Sequence, residues 1–226
     1  MRIGTSGWSF DEWKDTFYAG VPRSRWLDHY AGTFSTVEVN YTFRRTMSAM
    51  TANDWITKVG EDFRFAVKAH QRITHTDRLK NPAETLPHFL ESLEPLRPRL
   101  GPVLFQLPPN LPLRLERLTA TLSALPEWVA PVFEFRHPSW LDSSVVETLH
   151  AHGAGLVLAE TDDEAVPDLD PGPIVYLRLR RTEYDDAGLA GWARWLGSRR
   201  ADTLWVYLKH DDDAPRLASS LQRLVG

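Results

Sequence analysis

Not one of the 226 residues is cysteine, which removes disulfides, zinc–thiolate centres, iron–sulfur clusters and thiol nucleophiles at once. No apolar run reaches membrane-spanning length, and Met1-Arg2-Ile3-Gly4-Thr5-Ser6-Gly7-Trp8 enters structured-looking sequence without the apolar core of a secretory signal. A cytoplasmic location with no membrane partner is therefore expected. Glycine motifs that cradle phosphates, GxGxxG and GxxxxGK[ST], are missing, which disfavours a doubly wound nucleotide-binding sheet. Ser6 lacks a GxSxG setting, so a serine triad is not expected. With a net charge of -4 the chain has no overall basic surface of the kind that grips duplex nucleic acid by its phosphates. No Gly/Ser-rich or charge-run linker divides it, and its 16 prolines read as punctuation, so one domain over residues 1–226 is expected.

What the chain does have is alternation. Strand-like segments run from Ile3 to Gly7, Thr36 to Asn40, Phe63 to Ala69, Val103 to Leu107, Val132 to Arg136, Gly155 to Glu160, Ile174 to Leu179 and Leu204 to His210. Helical spacing predicts Pro22 to Ala31, Met47 to Val59 with Thr46 as its cap, Pro82 to Leu93, Leu113 to Leu125, Ser143 to His152, Ala187 to Leu196 and Pro215 to Val225. Many of the strands are apolar on both parities except near their C-terminal ends, as in parallel sheets covered on both faces. Eight such units in 226 residues indicate an α/β protein of the TIM type, a (β/α)8 barrel.

In such a barrel one side-chain parity faces the helices and the other faces the axis, with the C-terminal strand ends lining the site. Setting the apolar parity outward places Glu38, Asn40, Lys68, Gln106, Glu134, Arg136, Glu160, Tyr176 and Arg178 around the axis at that end. Tyr207 and Lys209 join from the eighth strand, and Leu104, Val132, Leu156 and Leu158 fill the space below. A neutral-to-positive cluster in a protein of negative net charge points to a small polar or anionic ligand, because arginine forks match carboxylate and phosphate oxygens. Glu134, Glu38 and Lys68 are the catalytic candidates, the carboxylates for acid/base work and Lys68 with Arg136 for electrostatic stabilisation. Asn40, Gln106 and Arg178 suit orientation of the substrate. His75 and His137 lie in loops beyond the third and fifth strands, and Trp8, Trp140, Tyr176 and Tyr207 offer aromatic faces at the rim. Pairs such as Glu134 with Arg136, or Glu38 with Lys68, also fit as buried structural ion pairs.

Two other functions fit the same residues. One is a metal-dependent phosphodiesterase acting on nucleic acid, a less favoured partner, with His75, His137, Glu134 and Glu38 as ligands; no spacing here is specific for a metal. The other is a barrel that binds a ligand or partner without chemistry. The sequence identifies no cofactor.

Gly4-Thr5-Ser6-Gly7-Trp8, Val37-Glu38-Val39-Asn40, Phe65-Ala66-Val67-Lys68 followed by Ile73-Thr74-His75, Gly101-Pro102 with Gln106-Leu107-Pro108-Pro109, and Glu134-Phe135-Arg136-His137 with Trp140 together resemble the domain of unknown function 72 (YecE-like) family. The likeness runs in order over nearly the whole chain. It implies a TIM-type barrel and brings no activity with it. The chain departs from the family pattern at Glu160, where Asp is expected, at Arg178-Leu179-Arg180-Arg181 in place of an Arg-x-His-Gly run, and at Tyr207-Leu208-Lys209-His210-Asp211 in place of a Tyr-Phe-Asn-Asn-Asp type.

Overall fold

A computed structural model describes residues 1–226. Its strands and helices follow the chain as β1 (Arg2–Thr5), α1 (Trp26–Thr33), β2 (Thr36–Val39), α2 (Ala49–Thr57), β3 (Arg64–Lys68), α3 (Pro82–Leu93), β4 (Leu100–Gln106), α4 (Leu115–Ala124), β5 (Pro131–Glu134), α5 (Ser143–Ala151), β6 (Gly155–Glu160), β7 (Ile174–Leu179), α6 (Asp186–Gly197), β8 (Thr203–Leu208) and α7 (Ala214–Val225). The strands form one parallel sheet in the order β1-β8-β7-β6-β5-β4-β3-β2. A bridge between Ser6 and Glu38 brings the two ends together, with the Gly7 amide donating to the Glu38 carbonyl at 2.9 Å, so the sheet curls into the expected (β/α)8 barrel. No helix is long and apolar enough to cross a membrane.

The β1–β2 seam depends on close approach. Tyr30 of α1 accepts from the Thr5 amide at 2.9 Å and donates to the Thr36 carbonyl at 3.0 Å, tying the two strands through one phenol. A Cβ built on Gly4 would lie 2.1 Å from the Thr36 carbonyl oxygen, closer than any real contact. Gly4→Ala must therefore push the seam apart, and the expected cost is about 1–3 kcal/mol in urea unfolding. An unchanged midpoint would mean that the seam contributes nothing.

One local expectation shifts. The cap of α2 is Ser48, whose Oγ accepts from the Thr51 amide at 3.1 Å, so the helix starts two residues later than Thr46 suggested and Met47 is buried ahead of it. Between β6 and β7, where the sequence shows no helical spacing, there is no helix. Pro167, Pro171, Gly172 and Pro173 interrupt residues 161–173, and the irregular crossover becomes a wall of the mouth.

The sheet separates two apolar cores. The larger lies between strands and helices, while Ala66, Leu104, Val132, Val157, Tyr176, Trp205 and Tyr207 fill the barrel interior. This settles the parity of β6, which was expected to face the other way. Val157 pairs with Tyr176 inside the barrel, so Leu156 and Leu158 pack against the helices, and the Glu160 carboxylate accepts from Trp192 Nε1 of α6 at 3.1 Å. Glu160 therefore lies outside the axial charge cluster.

Candidate active site at the barrel mouth

The apolar interior ends upward in a layer of charge organised by Arg178 of β7. Its side chain is only 3% exposed. One Nη donates to Glu38 Oε1 at 2.9 Å and the other to Glu134 Oε2. Glu38 also accepts from Ser6 Oγ at 2.5 Å, from Asn40 Nδ2 at 3.2 Å and, through Oε2, from Tyr176 Oη at 2.7 Å. Glu134 Oε1 accepts from Gln106 Nε2 at 2.6 Å and from Arg136 Nε at 3.0 Å. Gln106 Oε1 in turn accepts from Lys68 Nζ at 2.7 Å. Side chains of β2, β3, β4, β5 and β7, with Ser6 just past β1, thus form one hydrogen-bonded chain across the axis.

Arg178 alone leaves two carboxylates with one negative charge in excess, and Arg136 and Lys68 stand where they offset it. Burial is the largest single influence on the pKa of Glu38 and Glu134 and would raise both. The Arg178 guanidinium, together with the hydrogen bonds from Ser6 and Tyr176 to Glu38 and with Arg136 and Gln106 at Glu134, nevertheless holds each below its ordinary value. Both stay ionised at neutral pH, with their oxygens occupied. Of the acid/base work expected of them, giving up a proton at neutral pH is disfavoured by this lowering. Lys68 moves the other way toward usefulness: burial first, then the nearby Arg178 charge, lowers its ammonium to about 8, against the opposing pull of Glu38 and Glu134. Among the catalytic candidates it is the side chain poised to titrate near neutrality.

Two hollows open over this layer. The larger, about 1030 Å³, lies over β5 to β8, and its charged lining comprises Glu134, Arg136, Glu164, Arg180, Arg181, Lys209, Asp211 and Asp212, with His137 and His210 beside them. The smaller, about 300 Å³, lies over β2 and β3 and is lined by Asn40, Tyr41, Phe43, Arg44, Arg45 and Lys68. The expected site residues are thus divided between two hollows and linked beneath them by Gln106. Arg180, which the sequence reading passed over, follows Tyr176 and Arg178 at alternate positions, and that period of two was the available signal. Neither Arg180 nor Lys209 takes part in an ion pair.

Several aromatic candidates lie elsewhere than the rim. Trp140 sits in a single tight turn, Pro138–Trp140, is 1% exposed, stacks on Phe135 with centroids 4.5 Å apart and donates its Nε1 to the Leu111 carbonyl at 2.7 Å. Tyr176 and Tyr207 are buried inside the barrel, where Tyr207 shares a hydrogen bond with Thr36 Oγ1 at 2.7 Å. Trp8 packs edge-on against Trp55 on the helix side of the sheet. His137 lines the larger hollow, its Nδ1 2.8 Å from Ser139 Oγ. His75 rests edge-on against Phe43 at 4.9 Å, and burial followed by the Lys68 and Arg136 charges lowers its pKa. No three His, Asp or Glu side chains converge as metal ligands would, and Glu38 and Glu134 already share Arg178, so the ligand set of the metal-dependent reading is not assembled.

Comparison with known proteins follows the same outline. The chain is 28% identical over 167 residues to the UPF0759 protein YecE of Escherichia coli K12, covering 71% of this chain and 59% of YecE. It is 29% identical over 161 residues to the UPF0759 protein YunF of Bacillus subtilis 168, covering 65% of this chain and 54% of YunF. The matched stretch therefore spans little more than half of each curated relative. Among solved structures, a DUF72 family protein from Thermotoga maritima MSB8 superposes with a TM-score of 0.85 at 25% identity, covering 99% of this chain and 98% of that one. A family model described as "Protein of unknown function DUF72" matches residues 2–226, and the chain belongs to that family.

Proposed function

We propose that the protein is an enzyme that binds a small anionic substrate, phosphorylated or sugar-like, at the C-terminal mouth of the barrel and acts on it by acid/base chemistry. One observation carries the reading. Arg180 and Lys209 stand without an ion pair in a hollow of about 1030 Å³, above a floor where Arg178, Arg136 and Lys68 together offset the charges of Glu38 and Glu134. Uncompensated cations in a concave site raise the local concentration of anions and bind their oxygens by charge-assisted hydrogen bonds. Arg136, paired with Glu134 through its Nε, lines the same hollow. Glu38 and Glu134 fix Arg178, and Asn40 and Gln106 orient the groups around Lys68.

The test is a thermal-shift titration with orthophosphate and a panel of phosphorylated and carboxylated sugars and acids. At least one anion is expected to raise the wild-type midpoint. Arg180→Ala and Lys209→Ala should each weaken that ligand about tenfold, the worth of one hydrogen bond to a charged group, without lowering the midpoint of the unliganded protein. Absence of any shift, or undiminished binding by both variants, would overturn the proposal.

A further inference from the structure

Only five of the 26 basic residues are lysine: Lys14, Lys58, Lys68, Lys80 and Lys209. Arginine supplies most of the chain's positive charge, so the lysine at the end of β3 asks for a reason. Its Nζ donates to Gln106 Oε1 at 2.7 Å and lies 4.1 Å from the centre of the Phe43 ring. An arginine would make both contacts as well, by its fork and by stacking. What lysine alone supplies is a nitrogen that can give up its proton and attack. Its neighbours favour that: Gln106 offers a neutral acceptor, and no carboxylate pairs with Lys68 because Glu38 and Glu134 are spent on Arg178. Burial and the Arg178 charge bring the ammonium down to about 8, so a useful fraction is free amine at neutral pH.

The surroundings also name a substrate class. The hollow that Lys68 lines, about 300 Å³, is of small-molecule size, and its outer wall holds Arg44 and Arg45, both exposed and both without an ion pair. Asn40 supplies a neutral amide beside them. We infer that Lys68 forms an imine with the carbonyl carbon of a small anionic aldehyde or ketone bound in the hollow over β2 and β3. This rests on the reading of the mouth as an anion site and extends it to the smaller hollow.

The step is balanced. The amine lone pair forms the C–N bond while the carbonyl π pair moves to oxygen; one proton passes from nitrogen to that oxygen to give a carbinolamine. Uptake of one further proton from solvent expels water and leaves a protonated imine. Hydrolysis reverses both steps and frees the lysine. The cationic imine draws electrons from bonds at the adjacent carbon, which is what a covalent amine catalyst contributes.

The experiment uses glycolaldehyde phosphate as probe, neutral glycolaldehyde as its control and cyanoborohydride as reductant, with intact-mass and peptide-mapping readouts. Hydride reduction of the imine gives a stable secondary amine. A single adduct on Lys68 is expected, forming roughly tenfold faster with the phosphate probe than with the control, the margin of one charge-assisted contact. Orthophosphate should slow it, and Arg44→Ala or Arg45→Ala should bring the two probes closer in rate. Lys68→Arg should lose the adduct and keep the thermal midpoint. Labelling spread evenly over the five lysines, or an undiminished adduct in Lys68→Arg, overturns the imine. Equal rates with both probes overturn the anionic class. Anion-induced stabilisation without a Lys68 adduct defeats this inference while leaving the anion site intact, whereas selective labelling without any anion effect defeats the anion site.

Discussion

Arg178→Met is expected to cost about 3–5 kcal/mol at neutral pH, because it leaves two buried carboxylates without their shared cation. It is also expected to reverse the pH dependence of stability. In the wild type Glu38 and Glu134 are held below their ordinary value of 4.5, so the stability they contribute is present above that value and is lost as pH falls through the folded values. Removing Arg178 takes away the main opponent of burial, already the largest single influence on both, and is expected to raise them above 4.5. The variant's stability is then greatest below the unfolded value and is lost as pH rises through the folded one. Urea unfolding of both proteins at acidic and neutral pH reads this directly: the gap between them should widen with pH. A gap that stays constant would mean that Arg178 holds neither carboxylate.

Trp140→Ala carries the second large effect, about 3–5 kcal/mol, from loss of a buried indole, its stack on Phe135 and its hydrogen bond to the Leu111 carbonyl. The same change should leave anion affinity untouched, since the ring does not line either hollow. Chemical denaturation and the thermal-shift titration together separate the two consequences. A stable variant with weakened ligand binding would return Trp140 to the rim.

The difference between what the sequence told about Trp140 and where it sits is instructive. A tryptophan after a strand end reads the same whether it crowns the barrel or folds beneath it, and the tight turn at Pro138–Trp140 decides. Strands two to five and seven were legible because each carries a polar residue at a fixed parity: Glu38, Lys68, Gln106, Glu134, Arg178. β6 offered no such marker. Leu156, Val157, Leu158 and Ala159 are apolar on both faces, so only the pairing of Val157 with Tyr176 fixes which side looks inward. The reach of Arg178 to Glu38 and Glu134 joins residues far apart in sequence, and no local pattern encodes it. One wall of the larger hollow is the proline-broken crossover of residues 161–173, whose path the sequence does not specify.

The central claim is that ionised groups from opposite sides of the barrel act on one another across a shared mouth. Nitrogen-15 NMR titration of the lysine ammonium groups tests it most directly, because Lys68 of β3 and Arg178 of β7 have no sequence relation and meet only if the mouth is built as described. A Lys68 midpoint near 8 is expected. A midpoint at the ordinary 10.5 would contradict the account.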